Sequence, residues 1–163
     1  MLRRTDNPIK DADYLVKKDA ACELYNTQAV IHSPFFDGDI VLGPEGFRHL
    51  QVSPKGERSK EEQVRRFELL PTGFQILKTA TMLQVYRKRP AKLHPQGETC
   101  ALKERKMVQW WCFTALFLNR ALNVKVVVRK VGDGKLHFWS VMGERTDKWG
   151  EPKYLKGADW TSS

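Results

Sequence analysis

The stretch Leu122 to Met142, LNVKVVVRKVGDGKLHFWSVM, constrains the fold more than any other part of the chain. Val124, Val126, Val127, Val128 and Val131 form its densest β-branched run. Leu136, Phe138, Trp139 and Val141 form a second, with Gly132-Asp133-Gly134 between them. Branched and aromatic side chains suit a pleated, half-buried surface, and Asp-Gly supplies the positive φ angles of a tight turn. The expectation is an antiparallel hairpin carrying Arg129, His137 and Ser140. Its register has two solutions. A two-residue Asp133-Gly134 turn pairs Arg129 with Phe138 and Val127 with Ser140, which puts Arg129 and Ser140 on one face. A three-residue Gly132 to Gly134 loop shifts every pair by one and sets Arg129 beside His137 and Trp139. Asp-Gly is the stronger turn signal and favours the first.

Upstream of the hairpin the pattern turns helical. Asp11 to Tyr25 reads as a helix capped by Asp11, with Leu15, Val16, Ala20, Cys22 and Leu24 on its apolar side. Ala29 to Ile31 and Ile40 to Leu42 are short extended pieces, interrupted by Ser33-Pro34 and Asp37-Gly38. His32, Asp37 and Asp39 lie there as turn formers rather than metal ligands. Gly43-Pro44-Glu45 opens a short helix with Pro44 in its first turn, Phe47 and Leu50 inward, and Arg48 and His49 on or beside the rim. Residues 51–58 read as a polar loop. Ser59-Lys60-Glu61-Glu62 is a capping box for a helix through Leu70, and Pro71 restarts a second short one. Thr81 to Tyr86 and Lys106 to Phe113 have strand composition, the latter sending Trp110 and Trp111 to opposite faces. Residues 90–105 read as a loop, and 114–122 fit either a strand or a helix.

Helices first and antiparallel strands after give an α+β fold, with N-terminal helices packed on one face of a sheet of four to five antiparallel strands. A length of 163 residues, 41% of them hydrophobic, fits a single domain over 1–163. Its helical part is about 11–80, its sheet part about 81–142, and 143–163 form a polar tail. Three cysteines, Cys22, Cys100 and Cys112, make no CxxC pair and fit reduced thiols in a cytoplasmic protein. No secretory signal is visible, and the apolar run Trp110 to Leu118 is too short to span a bilayer, so no membrane partner is expected.

The net charge of +9 is unevenly spread. Residues 1–47 carry 5 basic and 8 acidic side chains, residues 48–92 carry 11 and 4, and residues 101–135 carry 8 and 2. A positive field concentrated in the middle and the hairpin favours polyanions, meaning nucleic acid or an acidic partner protein. Gly-rich phosphate loops, GxSxG, HExxH and CxxC are all missing from the sequence. The remaining His, Arg, Lys and Ser residues suffice for one reaction. RNA brings its own nucleophile, the 2′-hydroxyl, so cleavage needs only a base, an acid and cations on the phosphate. That chemistry requires no metal and no cofactor.

Three phrases, GFRHL (46–50), LLPTGFQILKTATMLQVYR (69–87) and the hairpin itself, resemble the phage-type branch of the barnase–EndoU–colicin–RelE (BECR) nuclease superfamily. The chain departs from that pattern at Thr79-Ala80-Thr81, where the family usually has Pro before the Val-Tyr strand. The resemblance implies a toxin-like or phage-effector-like, metal-independent endoribonuclease, with an acidic inhibitor or antitoxin as a further partner. It implies His49 as general base or acid, Arg129 as phosphate ligand and Ser140 as hydrogen-bond donor. Arg48, Arg87, Lys88 and Lys125 are the expected substrate-binding cations. His137 rivals His49 if the three-residue turn forms, and His94 is the remaining imidazole near the basic region. A non-catalytic nucleic-acid-binding protein is the alternative, using Trp110, Trp111 or Trp139 as stacking platforms. A structural protein with an incidental basic surface is a third.

Overall fold

The computed structural model describes residues 8–92, 105–117, 119 and 121–145. His94, Cys100, residues 93–104 of the expected 90–105 loop and residues 146–163 of the expected 143–163 tail lie outside the described residues, whereas 90–92, 105 and 143–145 belong to strands. The fold is α+β: the described residues form three helices, a six-stranded, mostly antiparallel sheet and a separate two-stranded hairpin.

Helix α1 (Asp11–Gln28) begins after Lys10, not at an Asp11 cap, and no side chain caps it. It buries Tyr14, Ala21 and Tyr25. The apolar side expected from Leu15 and Val16 faces solvent, at 53% and 68% exposure. One helix buries one stripe, and the tyrosine stripe brings more area and two anchored hydroxyls. Tyr14 donates to Gln63 Oε1 at 2.6 Å, and Tyr25 to the Gly43 carbonyl at 2.7 Å.

Strands β1 (Val30–Ser33) and β2 (Gly38–Val41) form the short hairpin read from the sequence. Helix α2 (Pro44–Gln51) follows, with Pro44 in its first turn as expected and Leu50 fully buried. The expected 51–58 loop contains a small hairpin, β3 (Val52–Ser53) with β4 (Gly56–Glu57). Ser59 caps helix α3 (Lys60–Thr79), its hydroxyl accepting from the Glu62 amide at 3.2 Å. Pro71 does not divide this helix. A proline inside a helix costs about 3 kcal/mol. Phe74, Ile76 and Leu77 beyond it are all buried, and such side chains return about 1.5–3 kcal/mol each. Burial wins.

The remaining strands are β5 (Val85–Lys92), β6 (Arg105–Phe117), β7 (Leu122–Val131) and β8 (Leu136–Arg145). Strand β5 starts four residues later than the Thr81 expected. The sheet order is β1-β2-β8-β7-β6-β5. The four or five strands expected become six because the β1–β2 hairpin joins the main sheet, through a parallel pairing of Ile40 with Leu136 and Val41 with His137.

Strands β7 and β8 are adjacent, and they use both registers. Arg129 pairs with His137 and Val128 with Phe138, the three-residue pattern; beyond a bulge, Val127 pairs with Ser140 and Val126 with Val141, the two-residue pattern. Trp139 is the extra residue, unmatched on β7. The need for it is a matter of parity. Phe138 and Val141 are three apart, so a regular strand would send them to opposite faces, yet both are fully buried in the core shared with the helices. The turn also differs from expectation. Its positive φ belongs to Gly132, at 52°, and the Gly134 amide donates to the Val131 carbonyl at 2.9 Å.

Tyr14, Tyr25, Leu70, Phe74 and Leu77 meet Val124, Val126, Val128, Phe138 and Val141 in the main core. Trp111 packs on this side, and Trp110 joins Val108, Cys112 and Val127 in a second cluster on the other, so the two tryptophans do diverge. Cys22 and Cys112 are free thiols. No helix among the described residues is long and apolar enough to cross a membrane.

Candidate functional site

The second face of the sheet meets the start of α2 at a cavity of about 290 Å³. One wall is the first turn of α2, Gly43 to Gly46; the other comes from the hairpin and includes Arg129, Lys135, His137 and Trp139. Two features fix the first wall. Tyr25 holds the Gly43 carbonyl, and Gly46 lets α2 lie directly on β8. A Cβ at Gly46 would fall 2.4 Å from the Phe138 carbonyl oxygen and 2.6 Å from the Tyr25 hydroxyl. Only glycine fits there.

Arg129 is the centre of the second wall. Its guanidinium carbon stands 4.1 Å from the centre of the Trp139 ring, so the bulge supplies the surface on which the arginine rests. Its Nε is enclosed with no hydrogen-bond partner. Burial lowers the Arg129 pKa, and the Glu45 carboxylate on the facing wall acts against that. His137, its cross-strand partner, is exposed and lines the same cavity. Further along the sheet Arg129 pairs with Trp110, which pairs with Arg87; the Arg89 guanidinium lies 5.1 Å from the Trp110 ring centre. Arginine and indole thus alternate across three strands.

His49 sits elsewhere than expected. It is half-buried, its ring lies 4.4 Å from that of Trp139, and it is not among the residues lining the cavity. Burial, then the charges of Arg58, Arg66 and Arg129, push its pKa down to about 4, so the imidazole is neutral at pH 7. Its Nδ1 is enclosed without a partner. Ser140 is fully buried, and its hydroxyl accepts from Arg66 Nη1 at 2.9 Å. The expected triad of His49, Arg129 and Ser140 therefore does not line one cavity: Arg129 lines it, His49 touches Trp139, and Ser140 is enclosed.

The expected substrate cations are scattered. Arg87 lies in the row with Trp110 and Arg129, and its neighbour Lys88 has the opposite parity on β5. Lys125 pairs with Glu144 at 3.0 Å, and Arg48 is exposed in the last turn of α2. His32 Nδ1 lies 3.1 Å from Asp39, and no group of three metal-ligating side chains occurs among the described residues. Sequence reasoning missed Glu45, Lys135, Arg58 and Arg66. The signal for Glu45 was present, because a Gly-Pro-Glu-Gly helix start directs its first turn at whatever the helix end faces.

Comparison with protein-family models, with curated proteins and with solved structures finds no match for this chain.

Proposed function

We propose that the protein is a metal-independent endoribonuclease, built on a scaffold of the BECR kind that its sequence resembles. One observation carries the reading: an arginine, an imidazole and a carboxylate, Arg129, His137 and Glu45, line a single cavity. Cleavage by the 2′-hydroxyl needs that set. Glu45 accepts the 2′-hydroxyl proton as the O2′–phosphorus bond forms. Arg129 and Lys135, which both line the cavity, offset the charge that builds on the phosphorane. The phosphorus–O5′ bond breaks, and the His137 imidazole delivers a proton to O5′. The products are a 2′,3′-cyclic phosphate and a 5′-hydroxyl.

The imidazole is assigned to His137 over His49 because His137 is exposed at the cavity and paired with Arg129, whereas His49 is enclosed against Trp139. The stacking alternative has less support. Trp110 and Trp139 already carry guanidinium groups on their rings, and Trp111 faces Phe36 and Tyr86 beside the core.

The test is cleavage of a mixed-sequence single-stranded RNA in excess chelator. His137→Ala should lower the rate about 10²- to 10⁴-fold, the usual contribution of a placed general acid or base. Arg129→Ala should weaken both binding and turnover. His49→Ala should retain cleavage within about tenfold, on the same scale of general acid–base effects. Cleavage only on addition of metal rejects the mechanism. A normal rate for His137→Ala with an inactive His49→Ala returns the role to His49.

A further inference from the structure

Among the described residues, strand β8 has a strand neighbour on both sides only at its start. Strand β2 pairs with Leu136 and His137 and then stops, so from Phe138 onward no described strand lies along one side of β8. The bulge at Trp139 falls just where that support ends. A strand edge with a bulge is a weak place in a sheet, because unpaired carbonyls and an irregular ladder coincide. Something other than a strand must hold it.

Arg66 is there. It projects from α3, is 7% exposed, and donates from Nη1 to the Ser140 hydroxyl at 2.9 Å and to the Val141 carbonyl at 3.3 Å. Its Nη2 donates to Glu62 Oε1 at 3.2 Å. The same oxygen accepts from Arg58 Nη1 at 3.1 Å, and Arg58 Nε donates to the His49 carbonyl at 3.4 Å. Arg58, Glu62 and Arg66 are spaced four apart, so one α3 carboxylate holds two guanidinium groups, one from α3 itself and one from the residue before its cap. The group reaches α2 through His49 and β8 through Ser140 and Val141. Both elements contribute to the walls of the cavity.

We propose that Arg66 is a positioning residue: by closing the strandless edge of β8 it holds the bulge that aims Trp139, and through Trp139 the Arg129 guanidinium, at the cavity. What is positioned rests on the ribonuclease reading, whereas the clamp rests on hydrogen bonds independent of it. An arginine is required because one planar fork must serve the β8 edge with one nitrogen and Glu62 with another. A lysine keeps the charge and much of the stem but offers a single nitrogen.

The experiment uses the full chain with Arg66→Lys, with the exposed neighbour Arg65→Lys as control. Near-ultraviolet dichroism isolates Trp139 by subtraction of the spectrum of Trp139→Phe. RNA cleavage is resolved into kcat and KM at a temperature where both variants are folded. Arg66→Lys should shift the Trp139 signal and lower kcat about 10- to 100-fold with a smaller change in KM, the effect of moving a catalytic group by about 1 Å. Arg65→Lys should do neither. If Arg66→Lys does not fold, Ser140→Ala removes one of the clamp's bonds and should move the same readouts in the same direction. An unchanged Trp139 signal in a folded clamp variant overturns the proposal, and so does a shifted signal with unchanged kcat. A wild-type protein that cleaves no RNA rejects the ribonuclease reading instead, and the clamp then stands or falls on the Trp139 signal alone.

Discussion

The two faces of the β7–β8 hairpin share one backbone and differ in what they leave unsatisfied. On the helix-covered face Val124, Val126, Val128, Phe138 and Val141 are fully buried and bring no side-chain polar atom with them. On the other face Trp110, Arg129 and Trp139 each enclose a side-chain nitrogen without a partner. An enclosed, unpartnered donor costs about 1–3 kcal/mol. Three such donors on one face and none among the valines opposite make a division of labour: one face holds the fold, and the other carries enclosed polar groups that the fold itself leaves unpaired.

Adjacent residues test that division most sharply. Phe138→Ala removes a fully buried ring from between Tyr25 and Phe74 and should cost about 3–5 kcal/mol in denaturant unfolding. Trp139→Ala, one position on, should cost less stability and more RNA binding, because it removes the rest on which Arg129 lies. Equal losses of stability in the two variants would erase the contrast between the faces.

A smaller effect should appear with pH. His49 is held neutral down to about pH 4, whereas the unfolded chain protonates it near 6.5. Between those values the unfolded state takes up a proton that the folded state refuses, so stability should fall as pH drops from about 6.5 to about 4. With allowance for solvent screening of a half-buried ring, the loss is about 2 kcal/mol. His49→Gln should flatten that part of the stability–pH curve; an unaltered slope would mean that burial and the neighbouring arginines do not hold His49 neutral. The smallest effect belongs to the first turn of α3. Ser59→Ala removes its cap and should cost about 1 kcal/mol in thermal unfolding.

Much of the fold could be read from local patterns. The hairpin, the Ser59 cap and the Gly-Pro start of α2 are each written within a few residues, and each formed. Expectation failed where one local signal competed with a distant one. Leu15 and Val16 looked like a buried stripe, but Tyr14 and Tyr25 had hydrogen-bond partners on α3 and before α2 that no window on α1 reveals. Pro71 looked like a break, but the core beyond it outweighs the lost hydrogen bond. The register looked like a choice between two turns, and the spacing of Phe138 and Val141 required both. The candidate site was less legible than the fold. Arg129 and the rivalry between His137 and His49 were visible, but Glu45 and Arg66 matter only through elements brought together from distant parts of the chain.

The parallel pairing of β2 with β8 has a consequence for the order of events during synthesis. Ile40 and Leu136, its first partners, are 96 positions apart. A chain emerging from the ribosome completes α1, β1, β2 and α2 early, and β2 then waits without its sheet neighbour until β8 has been made. Contacts of such separation are the slow ones in folding. The cavity spans the same divide, with one wall at 43–46 and the other at 129–139. A nascent chain therefore holds the Glu45 wall long before it has any arginine or imidazole to face it. The cavity thus gains its second wall only late in synthesis, when the β7–β8 hairpin docks against the segment made first.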